Sequence, residues 1–285
     1  MRLILLVSGK LGSIACKEIP YSIEYIFTDK QSTEIVEFAS KRKIPVHIGN
    51  PRKIEEFSFL DRLSDCWILS INYLFIIPQK MIEKVNGNAL NVHGSLLPQY
   101  RGRTPHVWAI INGESFTGIT IHRLVEAVDS GDILLQKKIG IAPDDTGGTV
   151  LAKYEKLYPE IVKEALSSIV TNTAVFIGQN NSKATYFPKR SPSDGRVCWD
   201  WQDQRIINWV RAQTAPYPGA FSISGRDGGK VLLWECQKDD WGFSSETPNG
   251  TIVKKTENEL FVKCPNRIIK IAKYEGDVSK GDTLL

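Results

Sequence analysis

Residues 89–106 read ALNVHGSLLPQYRGRTPH. Ala89, Leu90 and Val92 make a short apolar strand, and a segment rich in Gly, Pro and Arg ends it. Residues i and i+2 of a strand point to the same side, so Asn91 and His93 face one cavity at the strand's carboxyl end. Open parallel sheets bind their ligands at that end. Pro98, Gly102 and Pro105 then restrict the backbone that follows.

Upstream, RLILLVS (2–8) is a continuous apolar run, as expected of a strand covered on both faces. YSIEYIF (21–27), IPVHI (44–48) and CWILSI (66–71) read as further strands. STEIVEFASKRK (32–43) and PQKMIEKV (78–85) read as helices, the latter opened by Pro. The alternation predicts an α/β class: a Rossmann-like, mostly parallel sheet with helices on both faces. Downstream, TPHVWAIING (104–113) reads as a helix. TGITIHRL (117–124) and DILLQKKIGI (132–141) read as strands able to pair, and 149–170 as a long helix. KATYFPKRSPSDGR (183–196) is rich in Pro, Ser and Lys and reads as linker. DQRIINWVRAQT (203–214) is a helix, and KVLLWEC, GTIVKKT and LFVKCP follow as short strands of a small β-rich domain. The expected division is 1–182, a linker over 183–200, and 201–285.

A length of 285 residues suits one large domain plus a smaller one. The net charge of +4 suits an anionic small molecule and is too weak to argue for nucleic acid. The five cysteines lack CxxC spacing. Cys66, Cys236 and Cys264 sit among apolar residues, so reduced, mostly buried thiols in a cytoplasmic protein are expected, with no metal site. MRLILLVSGKLGS has too short an apolar run, and no cleavage site, for a signal peptide. Nothing approaches the ~18 apolar residues of a membrane span. SGKLGS (8–13) with Asp29 superficially matches a dinucleotide-binding turn, but the third Gly is missing and Pro20 cuts the helix short.

Chemistry concentrates in Asn91, His93 and VDSGD (128–132). His carries protons near neutral pH, an Asn amide can donate to a developing oxyanion, and a buried carboxylate beside His93 would favour its protonated form. NVHGSLLPQYRGRTP, TGITIHRL and AVDSGDILLQ, in this order, resemble the formyltransferases that use 10-formyltetrahydrofolate. FPKRSPSDGRVCWDW and RAQTAPYPGAFS resemble that family's linker and the start of its small, OB-like C-terminal domain. The resemblance implies that Asn91 stabilises a tetrahedral oxyanion, His93 transfers the proton and Asp129 orients His93. It implies N10-formyltetrahydrofolate as co-substrate, against Phe75, Ile76 and Ile77 and against Val125, Glu126, Ala127 and Val128, with Arg103 contacting it.

Three formyl acceptors compete within the family. The region FTDKQSTEIVEF (27–38) is short and nearly neutral, unlike the basic loop expected of a methionyl-tRNA formyltransferase, which is the alternative reading. Glycinamide ribonucleotide enzymes are shorter. RGRTPHVWAIINGE (101–114) resembles the enzymes that formylate nucleotide-linked amino sugars, including the 4-amino-4-deoxyarabinose enzyme. By analogy the expected substrate is dTDP-4-amino-4,6-dideoxy-D-glucose, in O-antigen sugar synthesis, with Gln99, Tyr100, Trp108 and Tyr217 as contacts. The resemblance also implies a homodimer. His122 reads as a supporting residue, and His47 as one bordering the folate cleft.

Overall fold

The structure is a computed structural model and describes residues 1–285. In chain order its first elements are β1 (Arg2–Val7), α1 (Gly9–Glu18), β2 (Ser22–Thr28), α2 (Thr33–Lys41), β3 (Val46–Ile48), β4 (Trp67–Ile71), α3 (Gln79–Glu83), β5 (Ala89–His93), β6 (Arg101–Gly102) and α4 (Pro105–Ile111). There follow β7 (Phe116–Arg123), β8 (Ile133–Gly140), α5 (Gly147–Val170), β9 (Tyr186–Phe187), α6 (Asp203–Gln213), β10 (Ala220–Ile223), β11 (Lys230–Asp239), β12 (Ile252–Lys255), β13 (Leu260–Cys264) and β14 (Arg267–Glu275).

A seven-stranded sheet runs in the order β3-β2-β1-β4-β5-β7-β8. β1, β2, β3, β4 and β5 pair in parallel, and β7 joins β5 antiparallel. The order reverses between β1 and β4, which makes a topological switch point. Leu3 to Val7 are fully buried, as the unbroken apolar run requires. α1 lies close on β1: a Cβ at Gly12 would come 2.9 Å from Val7 Cβ. α5 turns Tyr154, Tyr158, Ile161, Val162, Ala165 and Leu166 inward, one face at helical spacing. A second apolar cluster joins Phe57, Leu60, Met81 and Val85 to Ile4 and Ile68, with Phe75, Ile77 and Leu124 packed against it.

The C-terminal part holds a five-stranded sheet, β10-β11-β14-β13-β12, paired antiparallel throughout. Its longest pairing, β11 with β14, uses the run RIIKIAKYE, which carries no clear strand pattern in the sequence. Lys and Glu break the apolar pattern of that run and weaken its signal.

Contacts divide the chain into two compact units. One comprises 1–102, 118–139 and 153–187; the other comprises 103–117, 140–152 and 188–285. The stretch read as linker is therefore shared between them, and its first part is ordered as β9, paired in parallel with β6. Thr185 anchors that short pairing: its carbonyl accepts from the Arg101 N–H at 2.9 Å and its hydroxyl from the Tyr100 N–H at 2.8 Å. Cys16, Cys66 and Cys264 are buried thiols, but Cys198 is exposed and Cys236 only half-buried. Cys236 follows an apolar run, yet it belongs to a stretch of β11 that alternates toward solvent.

Candidate active site

Register brings the chemistry together. Asn91 lies opposite Ser70 of β4 on one side and His122 of β7 on the other, and His93 lies opposite Thr120. His93 is 6% exposed. Its Nε2–H donates to the carbonyl of Tyr100 at 2.8 Å, and its Nδ1 stands 3.5 Å from Asp129 Oδ2. Both ring nitrogens thus face acceptors, an arrangement fully satisfied only by the imidazolium. Burial nevertheless pulls His93 below its ordinary range, against Asp129 and the Tyr100 carbonyl, which raise it. Asp129 thus favours the protonated ring, and burial opposes it more strongly.

Asp129 occupies the turn between β7 and β8 with left-handed backbone, φ +53°. Burial alone would raise its carboxyl. The His93 charge, His122 and the backbone N–H of Gly102, at 2.9 Å from Oδ2, overcome this and hold it at about 2. The carboxylate is thus ionised at neutral pH, beside a His. Gly131, two residues on, cannot carry a side chain: its Cβ would lie 2.1 Å from the Arg123 carbonyl oxygen.

Asn91 has an oriented amide. His122 Nδ1 lies 2.8 Å from the Arg123 carbonyl and must donate to it. In the neutral ring Nε2 is then an acceptor, and it takes a hydrogen from Asn91 Nδ2 at 3.2 Å. His122 Nε2 is also 3.6 Å from Asp129 Oδ1. This histidine is 1% exposed, and its Nε2 serves Asn91 when it accepts and Asp129 when it carries a hydrogen, not both at once. A carboxylate, two histidines and an amide donor at the end of a buried strand can polarise a carbonyl and move a proton. No group of His, Cys, Asp and Glu has metal-binding geometry.

Two domain families match the chain: "Formyl transferase" over residues 23–166 and "Formyl transferase, C-terminal domain" over 189–280. This chain belongs to the formyl transferase family. Solved structures share the formyl transferase fold along nearly the whole chain. The N-formyltransferase from Helicobacter canadensis, in complex with folinic acid and dTDP-3-aminofucose, is 18% identical with a TM-score of 0.73, over 96% of this chain and 99% of that one. WlaRD, a sugar 3N-formyl transferase solved with dTDP and 5-N-formyl-THF, is 18% identical with a TM-score of 0.67, over 98% and 99%. The methionyl-tRNA formyltransferase from Clostridium thermocellum is 20% identical with a TM-score of 0.58, over 84% and 94%.

The remaining residues named from the sequence of this formyl transferase divide between the two units. Phe75 and Ile77 pack on the same apolar cluster as Leu124, so the loops 72–77 and 124–128 share one support. Between them Ile76 is 58% exposed, Val125 43% and Val128 54%, with Glu126 and Ala127 also exposed. These apolar side chains at the sheet's ligand end fit a flat, partly apolar ring system. Gln99 is exposed. Tyr100 is stacked on Phe187, with ring centroids 4.7 Å apart, and its carbonyl rather than its ring meets the site. Arg103, Trp108 and Tyr217 belong to the other unit. There Trp108 donates to the Pro188 carbonyl under the Arg190 guanidinium, and the Tyr217 hydroxyl meets His106 Nε2 at 2.6 Å. The sequence reading did not single out Arg101 or Gln179, whose contacts span almost eighty residues; the tripeptide containing Gln179 carries no motif.

Proposed function

We propose that this formyl transferase moves a formyl group from N10-formyltetrahydrofolate to the amine of a deoxythymidine-diphosphate-linked amino sugar, with Asn91, His93 and Asp129 at the reacting centre. The observation that carries the reading is the meeting of these three side chains at the carboxyl end of β5. The likeness in fold to two sugar formyltransferases, across 99% of each of their chains, supports the acceptor class.

The chemistry asks little beyond these residues. A neutral amine attacks the formyl carbon, the carbonyl π electrons move to oxygen, and a tetrahedral oxyanion forms. The Asn91 amide, with one hydrogen on His122, offers its other to that oxygen. His93 gives its Nε2–H to the reacting atoms in place of the Tyr100 carbonyl. A charged acceptor binds about twice as strongly as a neutral one, so the exchange is favourable as negative charge grows. His93 enters the step as the imidazolium that Asp129 favours against burial, gives its Nε2 proton to N10 as that nitrogen departs and takes one back from the attacking nitrogen. Collapse expels N10 of the folate, which takes up a proton as the attacking nitrogen loses one. Ile76, Val125 and Val128 flank the folate ring system.

The specific sugar we infer is dTDP-4-amino-4,6-dideoxy-D-glucose, in surface-polysaccharide sugar synthesis. The two sugar enzymes of like fold favour a 3-amino isomer as second reading. Mass spectrometry of reactions containing N10-formyltetrahydrofolate and dTDP-linked 3-amino and 4-amino sugars, UDP-4-amino-4-deoxyarabinose or methionyl-tRNA decides among them. A gain of one formyl group on a dTDP-sugar supports the reading. Product from methionyl-tRNA alone overturns the acceptor class, and product from none overturns the function.

A further inference from the structure

Arg101 is 1% exposed, the largest fully buried side chain in the molecule. Its acceptors are neutral oxygens. Nε and Nη2 donate to Gln179 Oε1 at 3.3 and 2.6 Å, Nη2 also to Asn181 Oδ1 at 2.8 Å, and Nη1 to the Tyr186 hydroxyl at 2.6 Å. The guanidinium also lies over the Tyr186 ring. A buried cation satisfied by dipoles is a costly way to gain stability. Its placement calls for another account.

Gln179 supplies one. Arginine only donates, so Gln179 must present its oxygen to Arg101 and its Nε2 elsewhere. That Nε2 donates to the carbonyls of Asp129 and Gly131, at 2.9 and 2.7 Å. The amide is therefore used to capacity, with its oxygen on the arginine and both hydrogens on the turn that carries the carboxylate. That turn holds Asp129 in left-handed backbone, which a non-glycine residue keeps only where its surroundings impose it. Arg101 also begins β6, whose pairing with β9 fixes its two neighbours. The Tyr100 carbonyl accepts from His93, and the Gly102 N–H donates to Asp129. A Cβ at Gly102 would lie 2.2 Å from the Phe187 carbonyl oxygen, so this approach admits no other residue.

We infer that Arg101 is a positioning residue: through Gln179 it locks the Asp129 turn so that the carboxylate faces His93, and segment 179–187 is the outer frame of that pair. The inference rests on the reading of His93 and Asp129 as the reacting pair. It extends that reading to four residues that touch no reacting atom: Arg101, Gln179, Asn181 and Tyr186.

The test is a titration of the full chain, labelled with 15N-histidine, read by NMR. The chain has four histidines, and His93 is assigned by the signal lost in His93→Gln. Asp129→Asn sets the scale: removing the carboxylate lowers the His93 midpoint. Gln179→Leu and Arg101→Lys should lower it in the same direction, by about half a pH unit or more. The double variant Gln179→Leu/Asp129→Asn should add nothing to Asp129→Asn alone. In turnover, Gln179→Leu should lose about tenfold or more in kcat, with KM for the amine changed less than about threefold. A folded Gln179→Leu whose His93 midpoint is unmoved overturns the inference, as does a second loss of equal size on the Asp129→Asn background. Should Arg101→Lys fail to fold, Gln179→Leu and Gln179→Glu decide alone. The titration needs no substrate, so a wild-type chain without formyl transfer would sink the proposed function and leave this result standing.

Discussion

The loops at the carboxyl ends of the parallel sheet and the turns of the C-terminal antiparallel sheet meet the same backbone demand differently. From Pro188 onward every residue with positive φ is glycine: Gly219, Gly228, Gly250, Gly276 and Gly281. At the ligand end of the parallel sheet Gly9, Gly49 and Gly102 also have positive φ, but Asn72, Tyr100 and Asp129 take left-handed backbone with side chains attached, at φ 53°, 59° and 53°. Such residues cost on the order of 1 kcal/mol each. The C-terminal sheet turns where glycine makes turning cheap. The site turns where a carbonyl must meet His93 and a carboxylate must meet the same ring, and hydrogen bonds from Gln179 and Gly102 to Asp129, and from the Tyr100 N–H to the Thr185 hydroxyl, hold it there. Lys43, Asn86 and Asn172 also take left-handed backbone, just past the ends of α2, α3 and α5, so the hydrogen bonds at Tyr100 and Asp129, not positive φ itself, set the ligand end apart.

The contrast is open to attack at several points. His93→Ala should fold and lose kcat by about a thousandfold or more, measured by single-turnover formyl transfer; an active variant removes the site from the mechanism. Gly102→Ala and Gly250→Ala pose matched insults, since each Cβ would fall 2.2 Å from a carbonyl oxygen, of Phe187 and Leu284 respectively. Both should lower Tm by several degrees, about the effect of 1–3 kcal/mol. Only Gly102→Ala should also lower kcat per folded molecule, by about tenfold. Equal kcat losses would break the comparison.

A pH effect sharpens it from the other side. His106 in α4 is buried, and burial holds its imidazole down at about 4, against 6.5 for the free group. The neutral ring therefore contributes fully above about pH 6.5, and that stability is lost as pH falls toward 4, up to about 3 kcal/mol. Denaturant titrations of wild type and His106→Gln at pH 7 and pH 4.5 should show the dependence shrinking in the variant. The smallest effect belongs to the surface: Lys163–Glu18, 3.2 Å apart and about half exposed, should move Tm by less than about 1 °C when Lys163 becomes Ala.

Much of the architecture could be read from local pattern. An unbroken apolar run gave β1, helical spacing gave α5, and the period of two put Asn91 and His93 on one side of β5. What escaped depends on distance along the chain. His122 meets Asn91 only because β7 pairs with β5 in one register, which a sequence does not state. Arg101 looked like one of two arginines in a loop; its burial follows from partners 78 to 85 residues away. The Pro- and Ser-rich composition of 183–200 pointed to a linker, yet Tyr186 and Phe187 find backbone partners in β6. Segments 103–117 and 140–152 group with the C-terminal part, a long-range choice with no local signature.

The most direct measurement is the single-turnover rate of formyl transfer from N10-formyltetrahydrofolate to a dTDP-linked amino sugar, compared between wild type and Asp129→Asn. Asn preserves the shape of the side chain and removes the charge beside His93. The account predicts a rate lower by about a hundredfold or more, with the fold and substrate affinity retained. An Asp129→Asn enzyme as fast as wild type would contradict it.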